Sequence, residues 1–448
     1  MEKNIMLDDA PLNKFHIKIT ALTFGGNFSD GYALGIIGIA LTLFAKQMNL
    51  NAVWIGLIGS SALIGLFLGS LVLGWLSDRI GRYKIFIFNF LLITVASFLQ
   101  FFVDNGVELF ILRTIIGIGL GGDYAVGVTL LAEFSPKKYR GHILGSLSAL
   151  WTFGYVAATL VGFYLEDLGP DAWRWMLASS CIPALIILLL RIGTPESPRW
   201  LVSKGRIEEA RQIVRKYVGF NVELAENIKE LPSNFSALFS KKLGKRTAFS
   251  ALFYVCLTLP YFAIYTFLPS ILAHMGLKED FMTDLLLNAF LLIGGLLGIL
   301  FTVKFSRRFF LIGSFVILTI SLFSLGVLPS ISLSFTIISF IIFTLIMSAV
   351  SNLTQVYPSE VFPTEVRSSG VGMATSCSRL GSALGTFLLP ISINAFGITV
   401  SILALTAVLL IGTIVTIFWA PETKGVSLNE SAHDTHDKES AEKNKAIQ

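Results

Sequence analysis

EFSPKKYRG, residues 133–141, returns as EVFPTEVRSSG, residues 360–370, with a proline three positions and an arginine seven positions after the leading glutamate. Glu133 and Glu360 stand 227 positions apart. A second pair, PESPRW from Pro195 and PETKG from Pro421, stands 226 apart. Two different signatures at nearly one offset mean that the chain is a duplication, and that each half closes in the same way.

The sequence between these signatures is mostly apolar. Of 448 residues, 54% are hydrophobic and 14% charged, where soluble domains carry roughly 25% charged residues. Mean hydropathy is +0.73. Apolar runs of about 20 residues, each long enough to cross a hydrocarbon core roughly 30 Å thick, recur along the chain. Lipid offers the backbone no hydrogen-bond partner, so such runs are expected to be helices. Twelve are predicted, at 18–46, 52–76, 84–103, 107–132, 143–165, 173–193, 247–273, 282–303, 309–328, 333–357, 369–394 and 397–420.

The fold class expected is therefore an all-α membrane protein, with twelve spans in two pseudo-symmetric six-helix bundles. Residues 1–193 form the first bundle, 194–246 a linker, 247–420 the second bundle and 421–448 a polar tail. Within the linker, GRIEEARQIVRKYV (205–218) has the pattern of a short amphipathic helix. Lys and Arg concentrate in SDRIGRYK, SPKKYRGH, the linker, KFSRRF and both tails, whereas the opposite loops are acidic, mixed or neutral. By the positive-inside rule both termini are expected in the cytoplasm, with the protein in the cell membrane. Residues 1–17 are polar and do not read as a cleavable leader.

Other classes find little support. The net charge of +5 reflects the loop asymmetry and suggests no nucleic-acid partner. Cys181, Cys256 and Cys377 lie inside spans without metal-type spacing, and there is neither a phosphate-binding loop nor a nucleophile constellation. The chain is expected to be no enzyme, to need no cofactor, and to act as a monomer in the bilayer.

Function is sought at mid-depth, where an ionisable residue is expensive. Asp123, in GGDYAV, is ten residues from Arg113 and ten from Glu133. Ten residues rise about 15 Å, so Asp123 sits near half depth and Arg113 is too far along the axis to be its partner. Asp30 in NFSDGYALG lies similarly deep in the first span, and Arg379 in SCSRLGSALG lies about ten residues into the eleventh. His16, His142, His274, His433 and His436 all fall at span ends or in tails. A proton carrier would then be Asp123 or Asp30, while Arg379 is a fixed cation suited to a carboxylate or phosphate. Asp123 and Arg379 are expected to attract one another when no solute is bound. A permanent Asp–Arg pair joining the halves is the structural alternative.

Weaker polar or aromatic candidates for solute contact are Asn27, Tyr32, Tyr124, Trp151, Tyr261, Tyr265, Asn352 and Gln355. Tyr254, Tyr261 and Tyr265 share one helix face, and Pro260 and Pro269 should bend their span. Small-residue faces (Gly65 and Gly69, Gly117 and Gly121, Gly294 and Gly298) read as helix packing.

The loop motifs carry a resemblance. GWLSDRIGRYK (74–84) resembles the signature loop between helices 2 and 3 of the major facilitator superfamily. RTIIGIGLGG with AEFSPKKYRG, PESPRWL, EVFPTEVR and PETKG is similar to its sugar-porter and metabolite–proton symporter branch. The resemblance implies alternating access by two rocking bundles that carry a small-molecule solute. Gly74 and Gly81 permit close approach and a tight turn. Asp78 can meet a helix N-terminus or an arginine across the halves. Arg79, Arg82, Glu133, Arg140, Glu360 and Arg367 can form ion pairs that hold the cytoplasmic side shut.

An acid in the GGDY setting, SDGY in the first span and a basic residue before LG in the eleventh resemble phosphate–proton and organic-acid–proton symporters. Phosphate porters have a second acid where this chain has Ala33, and an acid in the seventh span, which here reads CLTLPYFAIYTFLPS. The glutamine-rich seventh span of sugar porters is missing too. The reading favoured is proton-coupled symport of a small organic anion. A sugar or polyol porter comes next, then a phosphate symporter. A nutrient sensor is the non-transport alternative, against which the short tail argues.

Overall fold

The computed structural model describes residues 5–223, 238–240, 243–274, 281–327, 333–362 and 367–423. Among them, eleven helices are long and apolar enough to cross a bilayer. The first six are Lys14–Gln47, Ala52–Ile80, Arg82–Phe102, Gly106–Phe134, Ile143–Glu166 and Ala172–Arg191. After the linker come Gly244–Thr266, Leu286–Lys304, Arg307–Val327, Ser334–Pro358 and Gly370–Trp419. The last is 50 residues long, about 75 Å of helix if straight. Gly397 breaks it with φ 82°, a conformation that costs glycine little. The two crossings on either side of Gly397 are the eleventh and twelfth expected from hydropathy.

Proline chemistry shapes the seventh span. Pro260 stays inside the Gly244–Thr266 helix, and a second helix, Leu268–His274, follows the interruption at Phe267. Pro269 has no N–H to give to the carbonyl of Tyr265, four residues earlier. The Tyr155 hydroxyl donates to that carbonyl instead, at 2.9 Å.

By contacts the chain divides into two compact units. One comprises Met1–Glu230, Tyr261–Leu292 and Ser382–Ser401; the other comprises Leu231–Pro260, Ile293–Gly381 and Ile402–Gln448. This cut differs from the cut by sequence repeat, because it passes through the seventh, eighth, eleventh and twelfth helices.

Small residues set the closest helix approaches inside each unit. In the first, a Cβ on Gly65 would stand 2.9 Å from Gly117 Cα, and one on Gly121 would stand 2.6 Å from Ser70 N. In the second, a Cβ on Gly294 would stand 3.0 Å from Leu345 Cα, and one on Gly298 would stand 2.7 Å from Ala349 Cα. The second and fourth helices thus pack as the eighth and tenth do, so the duplication extends to packing.

The linker begins with two short helices, Pro198–Ser203 and Ile207–Tyr217. The second is the amphipathic helix expected, with Ala210 and Val214 buried. Hydropathy did not foretell its tie to the N-terminus. Ile5–Met6 pairs in parallel with Val222–Glu223, and Asn13 Nδ2 donates to the carbonyls of Tyr217 and Val218 at 2.8 and 2.9 Å.

Candidate transport site and gating clusters

Each half carries one polar cluster at equivalent helix ends. In the first unit Gly81, at φ 113°, ends the second helix and starts the third. The backbone N–H groups of Arg82 and Tyr83 then donate to Glu196 at 2.9 and 3.1 Å. A carboxylate here satisfies otherwise unpaired amides and complements the helix dipole. The Arg82 guanidinium reaches Asp78, Ser77 Oγ at 3.1 Å and Glu133 at 3.5 Å. Gly74 lets the second helix approach the fourth, since a Cβ there would sit 3.3 Å from that of Ala125.

The second unit repeats the arrangement. Arg307 donates through Nε and Nη2 to Glu360, both at 3.2 Å, and its backbone N–H donates to Glu422 at 3.1 Å. Thr423 Oγ1 donates to Glu360 at 2.6 Å. Arg82, Glu133 and Glu196 therefore correspond to Arg307, Glu360 and Glu422. Sequence reasoning did not assign Arg307, Glu196 and Glu422 to these clusters. An offset of 227 from Asp78 lands on Phe305, two residues short of Arg307, and hides the match.

Two sequence expectations change here. Asp78 meets Arg82 of its own helix pair, and Glu196, not Asp78, occupies the helix N-terminus. Arg79 lies over the Trp75 ring at 3.9 Å instead of among the carboxylates. The side chains of Arg140, Gln355 and Arg367 lie outside the described residues.

Deeper in the first unit, Asp123 has a partner that the sequence did not suggest. Arg191 Nη1 and Nη2 donate to its two carboxylate oxygens at 2.6 and 3.1 Å. The two side chains are 2% and 0% exposed. Arg191 also donates to the carbonyl of Phe86 at 3.1 Å. Its guanidinium lies 3.6 Å from the Phe86 ring centroid and 4.1 Å from that of Phe90. This is a bidentate, desolvated pair with aromatic faces around the cation. The counter-charge expected of Arg379 is supplied here by the sixth helix. Gly26 makes room, since a Cβ there would stand 2.8 Å from Asp123 Oδ2.

Asp30 is 1% exposed. Arg113, also 1% exposed, donates to the carbonyl of Ala33 at 2.9 Å, one turn beyond Asp30. The fourth helix thus meets the first at Ala33, three residues after Asp30.

The aromatic candidates gather on the fifth and seventh helices. Trp151 stacks on Tyr155 with centroids 5.8 Å apart and lies 6.3 Å from Tyr261 and 6.2 Å from Phe262. Tyr261 and Tyr265 are 4.7 Å apart. Tyr124 packs against the same cluster as Trp151 and Phe262. These side chains give an aromatic wall in which Trp151 Nε1 and Tyr265 OH are buried.

Other candidates brace helices. Tyr32 OH bonds Ser179 Oγ at 2.8 Å. Asn27 Nδ2 donates to Thr23 O at 3.1 Å within its own helix. Asn352 Nδ2 donates to Gly295 O at 3.0 Å, linking the tenth and eighth helices. In the second unit Arg379 is buried, 6% exposed, on the eleventh helix. Its neighbour Ser378 offers its carbonyl to Thr258 of the seventh helix at 3.3 Å.

The family model "Sugar (and other) transporter" matches residues 18–434. The chain belongs to that family. It is 52% identical over 425 residues to the inner membrane metabolite transport protein YgcS of Escherichia coli (strain K12), covering 95% of each chain. It is 26% identical over 436 residues to the niacin transporter NiaP of Acinetobacter baylyi (strain ATCC 33305 / BD413 / ADP1), covering 94% of this chain and 98% of that one. Among solved structures, the xylose transporter XylE from E. coli in a partially occluded inward-open conformation superposes with TM-score 0.79 at 22% identity, covering 93% of this chain and 100% of that one. The family member described here is thus a multi-pass membrane transporter of the major facilitator fold, not an enzyme, and its cargo is a small-molecule solute.

Proposed function

We propose that this transporter is a proton-coupled symporter of a small organic anion, working as a monomer in the cell membrane with both termini in the cytoplasm. The observation that carries the reading is the buried guanidinium of Arg379 on the eleventh helix, a fixed cation whose planar fork suits a carboxylate. The niacin transporter among its relatives is named for a carboxylate-bearing cargo, which supports the same chemistry.

The coupling proton is assigned first to Asp30. Arg191 gives Asp123 a permanent counter-charge, so a proton arriving at Asp123 must displace a bidentate guanidinium. Asp30 is as deeply buried, on the first helix, and Arg113 holds the Ala33 carbonyl three residues further along that helix. The aromatic wall of Trp151, Tyr261 and Tyr265 supplies apolar contact for the body of the solute. The clusters around Arg82 and Arg307 act as gates, joining helix ends within each six-helix half so that each half moves as one piece.

Uptake by proteoliposomes of a labelled panel of carboxylates, sugars, polyols and phosphate, with and without an imposed pH gradient, tests the reading. Accumulation of a carboxylate that requires the gradient is the expected result. A sugar or polyol cargo is the second reading, favoured by the family match and by the likeness to a xylose transporter. Uptake of a neutral solute, with or without the gradient, would establish it.

A further inference from the structure

A cavity of about 230 Å³ opens between the start of the first helix, the turn after the sixth and the end of the amphipathic linker helix. Lys14 and Lys18 stand on its rim, Phe15, Ile19 and Leu22 form its apolar floor, and Tyr217 closes one side. The two lysines are exposed and one helical turn apart. None of the described residues lining the cavity is acidic. Beyond the rim, Lys216 lies over the Tyr217 ring at 5.3 Å, which adds a third cation nearby.

The walls are fixed in place. Asn13 caps the first helix through His16 N and ties it to the carbonyls of Tyr217 and Val218. Phe15 packs 5.0 Å from Tyr217 and 4.9 Å from Phe134. The amides of Lys14 and Phe15, in the first turn, have no acceptor within the helix and favour an anion there.

Size and surroundings identify the occupant. Cavities for soluble ligands run from roughly 300 Å³ upward, so this one is too small to enclose a metabolite. It is, however, flanked by exposed apolar side chains, Ile17 and Ile192, at 65% and 59% exposure, on or just beyond helices long and apolar enough to cross a bilayer. A molecule whose charged group meets two lysines while its body continues into the bilayer fits both facts.

We propose that this cavity binds one anionic phospholipid of the leaflet nearer the start of the first helix. Its phosphate is held by Lys14 and Lys18, and the start of one acyl chain lies on Phe15, Ile19 and Leu22. The lipid fastens the first helix, the end of the sixth and the linker into one piece. The site is independent of the solute carried and of proton coupling.

Native mass spectrometry of the full chain in detergent, with equimolar phosphatidylglycerol and phosphatidylethanolamine, tests this. The native protein is expected to retain one phosphatidylglycerol in preference. The double variant Lys14→Gln, Lys18→Gln should bind it about 30-fold more weakly, the loss expected for two basic residues near an anionic surface. Lys14→Arg with Lys18→Arg should keep the preference. An unchanged preference in the glutamine variant overturns the site. So does displacement of the lipid by millimolar inorganic phosphate or glycerol 3-phosphate, which would make it a soluble-anion site. As a measurement on the unmutated protein, a photoactivatable phosphatidylglycerol should label residues 14–22, and labelling confined elsewhere also overturns the proposal.

Discussion

Arg191 grips Asp123 through both terminal nitrogens, at 2.6 and 3.1 Å, with neither side chain more than 2% exposed. The pair joins the fourth helix to the sixth inside one half of the transporter. Its desolvation is offset by two charge-assisted hydrogen bonds, a third bond to the Phe86 carbonyl and the faces of two phenylalanines. A pair so placed resembles a rivet more than a switch.

Removing one partner should therefore be costly. Arg191→Gln leaves Asp123 charged and buried, and the expected loss of stability is about 3–5 kcal/mol. Asp123→Asn should cost a similar amount, and the double variant should cost much less than the sum. A double-mutant cycle from unfolding in detergent measures this, and additive losses would show that the two residues do not act as a unit.

Gly26 provides a second handle on the same pair. An added Cβ would stand 2.8 Å from Asp123 Oδ2, so Gly26→Ala must push the carboxylate aside. Overpacking of this kind costs about 1–3 kcal/mol. Part of that cost should vanish in the Arg191→Gln background, where the space is looser. Thermal melting of the single and double variants decides it, and an equal penalty in both backgrounds would separate Gly26 from the pair.

The gating clusters allow a comparison between halves. Arg307 and Glu360 are 15% and 21% exposed, and Arg82 and Glu133 are each 15% exposed. At this exposure the arginines are mostly buried, so Arg82→Gln and Arg307→Gln should each cost about 1.5–3 kcal/mol, the range for hydrogen bonds to charged groups, and melting temperatures should be compared before uptake. Both variants are expected to lose most net uptake while still binding solute, and to do so to a similar degree. If only the Arg82 variant is impaired, the second cluster is a structural remnant of the duplication.

How much of this was legible in the sequence follows from the physics of each feature. Spans are visible because lipid demands some 20 apolar residues in a row, and the turn at Gly397 was marked by the short NAFG interruption. The clusters were half visible, because Glu133 and Glu360 share a motif while Arg307 sits two residues off the register of the repeat. Arg191 was hidden by its position. At the last residue of an apolar helix it looks like a topology signal, and only tertiary packing shows that its side chain turns back into the core. Arg113 reads as too far from Asp123, ten residues along the same helix, and its bond to the Ala33 carbonyl of the first helix appears only in the packing.

Coupling separates the two acids. Asp30→Asn should abolish accumulation driven by a pH gradient while leaving solute exchange between the two sides. Asp123→Asn should impair both, in line with its loss of stability. Counterflow and gradient-driven uptake in proteoliposomes distinguish the outcomes. Gradient-driven uptake that survives in Asp30→Asn returns the proton to Asp123, and Arg191 would then have to release it in some state of the cycle.

Charge selection rests on Arg379. A guanidinium offers a planar fork that matches a carboxylate with two parallel hydrogen bonds, whereas lysine offers the same charge as a point. Arg379→Lys should therefore weaken affinity about tenfold, the lower end of the range for losing a hydrogen bond to a charged group, while anions remain preferred. Arg379→Gln removes the charge and should abolish anion binding altogether. Stability is a guard on the result, since Arg379 is 6% exposed and its loss also removes a buried cation. Melting temperatures of the two variants should then be compared with their affinities. Should Arg379→Gln bind and carry its native solute at near-native affinity, the cargo is neutral or cationic, and the sugar or polyol reading replaces the organic anion.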